Sequence, residues 1–124
     1  MLVEDSKLLR LATERALHRA GYQVLGAADG EQALQMAREN LPHVILLDML
    51  LPKVSGLDVL RALKSDARTK DIPVVILSSL TQANADKLLS EGAAAFFEKS
   101  ERMLQDDYSE LLRKVESVLA RPSD

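Results

Sequence analysis

Val44-Ile45-Leu46-Leu47-Asp48-Met49-Leu50-Leu51-Pro52 is the stretch that decides the fold of this chain. Its first four residues are apolar without alternation, the pattern of a strand covered on both faces by helices. The run stops at an acid, and Pro52, which has no N–H for a ladder, turns the chain into a loop. Val74-Val75-Ile76-Leu77 repeats the pattern and ends at Ser78 and Ser79. Shorter runs at Met1-Leu2-Val3, Gln23-Val24-Leu25 and Ala94-Ala95-Phe96-Phe97 complete five candidate strands. Longer amphipathic stretches separate them, and this alternation from end to end implies βαβ units around a parallel sheet.

Helix signals fall in the gaps. Asp29 with Gln32, Ser55 with Asp58, and Asp107 with Glu110 have capping-box spacing, and Gly21 and Gly92 stand where a helix end needs a left-handed residue. Leu9, Ala12, Ala16 and Ala20 recur at helical spacing, which predicts a narrow stripe of small side chains facing the sheet. Leu8 and Leu11 lie off that stripe and are expected on the surface. The last helix is expected over 107–120, making residues 1–120 one domain and 121–124 a tail or linker stump. Met1-Leu2-Val3 is short for a strand, so the numbering is read as beginning a few residues inside the natural chain.

Composition narrows the class. A chain of 124 residues with 47% hydrophobic and 28% charged residues has room for one core and no signature of disorder. Sixteen basic against nineteen acidic residues, a net charge of -3, give no footprint for phosphate backbones, so a direct nucleic-acid partner is not expected. The absence of cysteine excludes a disulfide framework and a thiol nucleophile and fits a reducing compartment. No apolar run approaches the roughly 20 residues needed to cross a bilayer, and Glu4 and Asp5 stand where a signal peptide carries positive charge. The expectation is a cytoplasmic protein without a membrane partner.

In a doubly wound sheet, ligands bind beyond the carboxyl ends of the strands. The polar residues there are Glu4 and Asp5 after strand one, Asp48 after strand three, Ser78 and Ser79 after strand four, and Glu98 and Lys99 after strand five. In the flavodoxin-like order 2-1-3-4-5, strands one and three are neighbours, which gathers Glu4, Asp5 and Asp48 into one pocket. Three carboxylates repel unless a cation offsets them or one takes up a proton. A hard divalent ion such as Mg2+, which prefers oxygen ligands and retains waters, resolves the conflict and leaves room for a phosphate oxygen. Lys99 and Ser78 supply a point charge and a hydroxyl for other phosphoryl oxygens. His18 and His43 match no metal or catalytic spacing and are assigned to the surface.

Taken together, Glu4-Asp5, the Val44–Pro52 stretch with Gly56 beyond, Ile72-Pro-Val-Val-Ile-Leu-Ser78-Ser79 and Gly92-Ala-Ala-Ala-Phe-Phe-Glu-Lys99 resemble the receiver domain of two-component response regulators over essentially the whole chain. The resemblance implies an α/β fold with a five-stranded parallel sheet, flavodoxin-like and doubly wound as (βα)5. It implies a phospho-accepting aspartate at Asp48 and Mg2+ ligands at Glu4, Asp5, Asp48 and the backbone carbonyl of Leu50. It implies a phosphoryl-sensing hydroxyl at Ser78, a catalytic lysine at Lys99 and an activation-reporting aromatic at Phe96 that turns inward as Ser78 moves. The implied partners are a sensor histidine kinase or histidine phosphotransfer protein and a downstream protein target, with room for a homodimer on phosphorylation. The implied role is a signalling phosphoacceptor, not an enzyme acting on a separate substrate.

The chain departs from the family in places. Ser100 follows Lys99 where relatives carry a cis proline, so that bond is expected to be trans. The stretch 100–106 is long, which predicts a late final helix or an extra helical turn before it. Leu50 and Leu80 occupy positions two beyond Asp48 and Ser78, where neither can orient a hydrolytic water, so a long-lived aspartyl phosphate is expected. A metal-dependent phosphatase of similar fold would need a second acid where Leu50 stands. The alternative reading is a pseudo-receiver, an interaction module independent of phosphorylation.

Overall fold

A computed structural model describes residues 1–78, 85–100 and 102–120, without the side chains of 102 and 104. Ser79, Leu80 and the tail 121–124 lie outside the described residues. The strands are β1 (Leu2–Val3), β2 (Gly26–Ala27), β3 (Ile45–Asp48), β4 (Val74–Ser78) and β5 (Ala95–Glu98). All neighbours pair in parallel in the order β2-β1-β3-β4-β5. The described helices are α1 (Lys7–Arg19), α2 (Gly30–Asn40), α3 (Gly56–Ser65), α4 (Ala85–Ser90), the single turn α5 (Arg102–Gln105) and α6 (Ser109–Leu119).

Period-two alternation along the central strands sends side chains to two separate cores. Val3, Ile45, Leu47, Val74 and Ile76 pack with Ala33, Ala37, Val59, Leu60, Leu63 and Leu88 under α2, α3 and α4. On the other face Leu2, Leu46, Val75 and Leu77 pack with Ala16, Leu17, Tyr108, Leu111 and Val115 under α1 and α6. β3 and β4 are buried at every residue, which is why their sequences carry no polar face.

Several local expectations are met. Ser6, Asp29 and Ser55 accept backbone N–H groups as N-caps of α1, α2 and α3. After α1, Gly21 (φ 100°) lets the Tyr22 N–H reach the Leu17 carbonyl at 3.1 Å, and after α4, Gly92 (φ 107°) lets Ala93 reach Leu88 likewise. No cis peptide occurs among the described residues, so Lys99–Ser100 is trans. His18 and His43 are exposed. An extra turn, α5, does precede the last helix.

Other expectations are corrected. The second strand is Gly26–Ala27, not 23–25, because Leu2 donates to the Leu25 carbonyl and enters register at Gly26. Asp107 does not cap the last helix. Both Asp107 (φ 55°) and Tyr108 (φ 64°) are left-handed, so α6 starts at Ser109 without a side-chain cap, and the Asp107 carboxylate instead pairs with Arg19 at 2.9 Å. On α1 the buried stripe is Thr13, Ala16 and Leu17, and Ala20 is exposed. The helix stops at Arg19, and Leu17 packs in the core on that face of the sheet.

Candidate functional site

β1, β3, β4 and β5 deliver their acids, hydroxyl and lysine to one edge of the sheet. Glu4 directly follows β1, Asp48 and Ser78 close β3 and β4, and Lys99 follows β5. Glu4, Asp48 and Ser78 are all buried, at 5%, 5% and 2% exposure, so these polar groups must be satisfied inside the protein. Lys99 does this for the two acids: its Nζ donates to Glu4 Oε1 at 2.8 Å and to Asp48 Oδ2 at 2.6 Å. The other carboxylate oxygens accept backbone donors, Ser6 N–H on Glu4 Oε2 at 3.2 Å and Leu50 N–H on Asp48 Oδ1 at 3.0 Å.

Burial pushes the Glu4 carboxyl above its ordinary range; the bond from Lys99 opposes the rise and the nearby Asp48 charge adds to it. Burial alone would lower Lys99, but its bonds to Asp48 and Glu4 outweigh it and hold the ammonium above its ordinary value. Two acids thus share one firmly charged base. Asp5 is exposed at the mouth, and one oxygen from each of Glu4, Asp5 and Asp48 lies within 4.8 Å of the others. Such an all-oxygen, carboxylate-rich donor set fits Mg2+, with Asp5 facing solvent where retained waters would sit.

Glu4, Asp5, Asp48, Ser78 and Lys99 thus lie together at one end of the sheet. The Lys99 N–H donates to the Ser78 carbonyl at 2.7 Å, which sets Ser78 beside the lysine. Leu50 is 65% exposed and contributes its N–H to Asp48. Phe96 is buried at 9% exposure, in the same core as Ile76, Ala85 and Leu88.

Gly56 is part of the support that sequence spacing identified only as a turn. Its N–H donates to the Met49 carbonyl at 3.1 Å, and a Cβ there would lie 2.5 Å from the Asp48 carbonyl oxygen and 2.6 Å from Met49 Cα. Both neighbours are backbone and cannot swing away. Gly56→Ala is expected to lower unfolding free energy by about 2 kcal/mol and to shift the Asp48 loop; urea unfolding checks the first. A loss below about 0.5 kcal/mol would mean that the loop yields freely.

Arg10 escaped sequence reasoning. Its Nη1 donates to the Glu4 carbonyl at 2.8 Å, a contact between a helix and a loop six residues earlier that no motif announces.

Comparison with known proteins agrees with this geometry. The family model described as "Response regulator receiver domain" matches residues 1–114. A Pseudomonas aeruginosa protein designated a transcriptional regulator is 37% identical over 122 residues, 97% of this chain; the chain spans 56% of that relative's length. The polar-differentiation response regulator DivK of Brucella anthropi is 34% identical over 92 residues, 74% of this chain and 75% of its own. Among solved structures, the response regulator domain of Thermotoga maritima CheB superposes with a TM-score of 0.85 at 28% identity, covering 98% of this chain and 95% of that one. The receiver domain of the Pseudomonas aeruginosa sensor histidine kinase PA1611, solved with magnesium in its active-site cleft, gives 0.84 at 26% identity over 97% and 95%. With the sheet order, the acidic pocket and its lysine in place, this chain belongs to the response regulator receiver domain family.

Proposed function

We propose that this domain takes a phosphoryl group onto Asp48 from a phosphohistidine of a sensor kinase or phosphotransfer protein. The observation that carries the reading is the three-residue unit Glu4–Lys99–Asp48, buried at the ligand-binding edge of the sheet and bonded at 2.8 and 2.6 Å. An Asp48 carboxylate oxygen attacks phosphorus in line, the P–O bond forms, the P–N bond breaks, and the electron pair returns to the imidazole nitrogen. Lys99, already aimed at that oxygen, would turn to the incoming phosphoryl oxygens and offset their charge. Glu4, Asp5, Asp48 and the Leu50 carbonyl would hold Mg2+, which when bound supplies neutralising charge between the anionic donor and the anionic acid.

Ser78 would bond a phosphoryl oxygen, and the end of β4 would move with it. Phe96 would then turn into the space that Ser78 vacates. The changed surface would be read by a downstream protein target or a second copy of the chain. In this reading the domain assists its own phosphorylation and dephosphorylation and acts on no separate substrate. A cytoplasmic setting fits, since no helix among the described residues is long and apolar enough to cross a membrane.

The deciding experiment is intact mass after incubation with Mg2+ and a small phosphodonor, with a chelated sample alongside. One phosphoryl adduct that requires the metal supports the reading. No adduct, with no Mg2+ binding by calorimetry, would make the domain a phosphorylation-independent interaction module. The exposed Leu50 side chain leads to a second expectation. Replacing Leu50 and Leu80 with Asn or Glu is expected to speed loss of the adduct by at least about tenfold, since a polar group there can orient the attacking water. An unchanged decay rate in a mass time course would rule out that role for the two leucines.

A further inference from the structure

We propose that Arg10 is a positioning residue for the acidic turn after β1, setting Glu4 and Asp5 for a divalent cation; this rests on the Mg2+ site proposed above. β1 ends at Val3, so the Glu4 carbonyl falls beyond the strand, and Arg10 Nη1 binds it at 2.8 Å. The remaining groups of Glu4 are held by other elements. Its N–H donates to the Ala27 carbonyl of β2 at 3.0 Å, and its carboxylate accepts the Ser6 N–H and Lys99. Arg10 therefore ties the turn to the body of α1, beside the Ser6 hydroxyl that accepts the Leu9 N–H.

The arginine is itself placed by the fold. Its N–H donates to the Ser6 carbonyl at 2.8 Å, which puts it one helical turn above the N-cap. Its aliphatic stem runs over Gly26 of the edge strand: a Cβ there would come within 3.4 Å of Arg10 Cδ and would overlap the Glu14 carboxylate. Because the target is a partly buried loop carbonyl, water can replace the donor when Arg10 is removed. The fold then survives while the orientation of Glu4 and Asp5 loosens. Contacts that orient metal ligands from behind affect affinity in this way.

The test is calorimetric titration of Mg2+ into the full chain, for the natural protein, Arg10→Ala and Arg10→Lys. Arg10→Ala is expected to weaken Mg2+ about tenfold, with Arg10→Lys recovering part of the loss. The thermal midpoint of chelated Arg10→Ala is expected to stay within about 3 °C of the natural protein. Saturating Mg2+ is expected to restore its phosphorylation rate. Unchanged affinity in Arg10→Ala overturns the proposal. So does a weakening shared equally by Ala and Lys variants with a matching fall in midpoint, which marks a merely structural residue. Failure of the natural protein to bind Mg2+ overturns the metal site itself, and this proposal with it.

Discussion

Asp48→Asn abolishes the phosphoryl adduct and leaves the fold standing: that is the expected result at the residue on which the site converges. Asn has the shape of Asp, and its side-chain carbonyl can still accept the Leu50 N–H that Asp48 Oδ1 accepts at 3.0 Å. Its amide nitrogen, with a delocalised lone pair, cannot replace the carboxylate oxygen as a nucleophile. The nitrogen would face the Lys99 ammonium, donor against donor, but Lys99 keeps its 2.8 Å bond to Glu4. Removing one of two acids that share a single base also relieves the repulsion that helps push Glu4 upward. Intact mass with Mg2+ and a small phosphodonor is expected to show no adduct, and the melting midpoint is expected to lie at or above that of the natural protein. An adduct that persists would place the acceptor elsewhere and remove the proposed role of Asp48.

Lys99→Met is expected to have the largest effect on stability. The side chains of Glu4 and Asp48 are 6% and 7% exposed, and Lys99 is their shared cation. Methionine retains the length and apolar stem but leaves two buried carboxylates facing each other. Removing one partner from a buried ion pair costs about 3 kcal/mol or more. The sign with pH follows from the carboxyls. Glu4, already above its ordinary range, rises further without the ammonium that opposes the shift, so no penalty exists below the ordinary carboxylate range, and it grows as pH rises through the raised value. Denaturant unfolding in chelator is expected to show the full loss at about pH 7 and much less at about pH 4. Added Mg2+ is expected to restore part of the neutral-pH loss. Phosphorylation is expected to fall about a hundredfold with the lost charge on the phosphoryl oxygens. An equal loss of stability at both pH values would mean that Lys99 matters for packing alone.

Much of this molecule is legible along the chain. The two unbroken apolar runs of β3 and β4 declare a sheet covered on both faces, and glycines at 21 and 92 mark helix ends, because these signals are local and each requires one backbone conformation. The site residues were legible for a related reason. In a doubly wound sheet ligands bind beyond the carboxyl ends of the strands, so Glu4, Asp5, Asp48, Ser78 and Lys99 could be named once the strands were. Where local signals compete, the sequence misleads. Asp107 has capping spacing, yet two left-handed residues and a partner at Arg19 decide its conformation. The entry of β2 at Gly26 is set by register with β1, which no local pattern carries.

By itself, then, the sequence determined the α/β class and the list of chemically capable residues, because hydrophobic periodicity and strand-end polarity are properties of neighbouring residues; the strand order came from the family resemblance. Tertiary structure alone decided which acids share a cation and which atom holds which. Lys99 meets Glu4 across 95 residues of chain and Asp48 across 51. Phe96 is buried in the core, Gly56 lies against the Asp48 backbone, and the Arg10 guanidinium reaches the Glu4 carbonyl. The physical reason is distance in sequence: burial, side-chain direction and hydrogen-bond pairing between remote segments exist only once the sheet has brought their strands together.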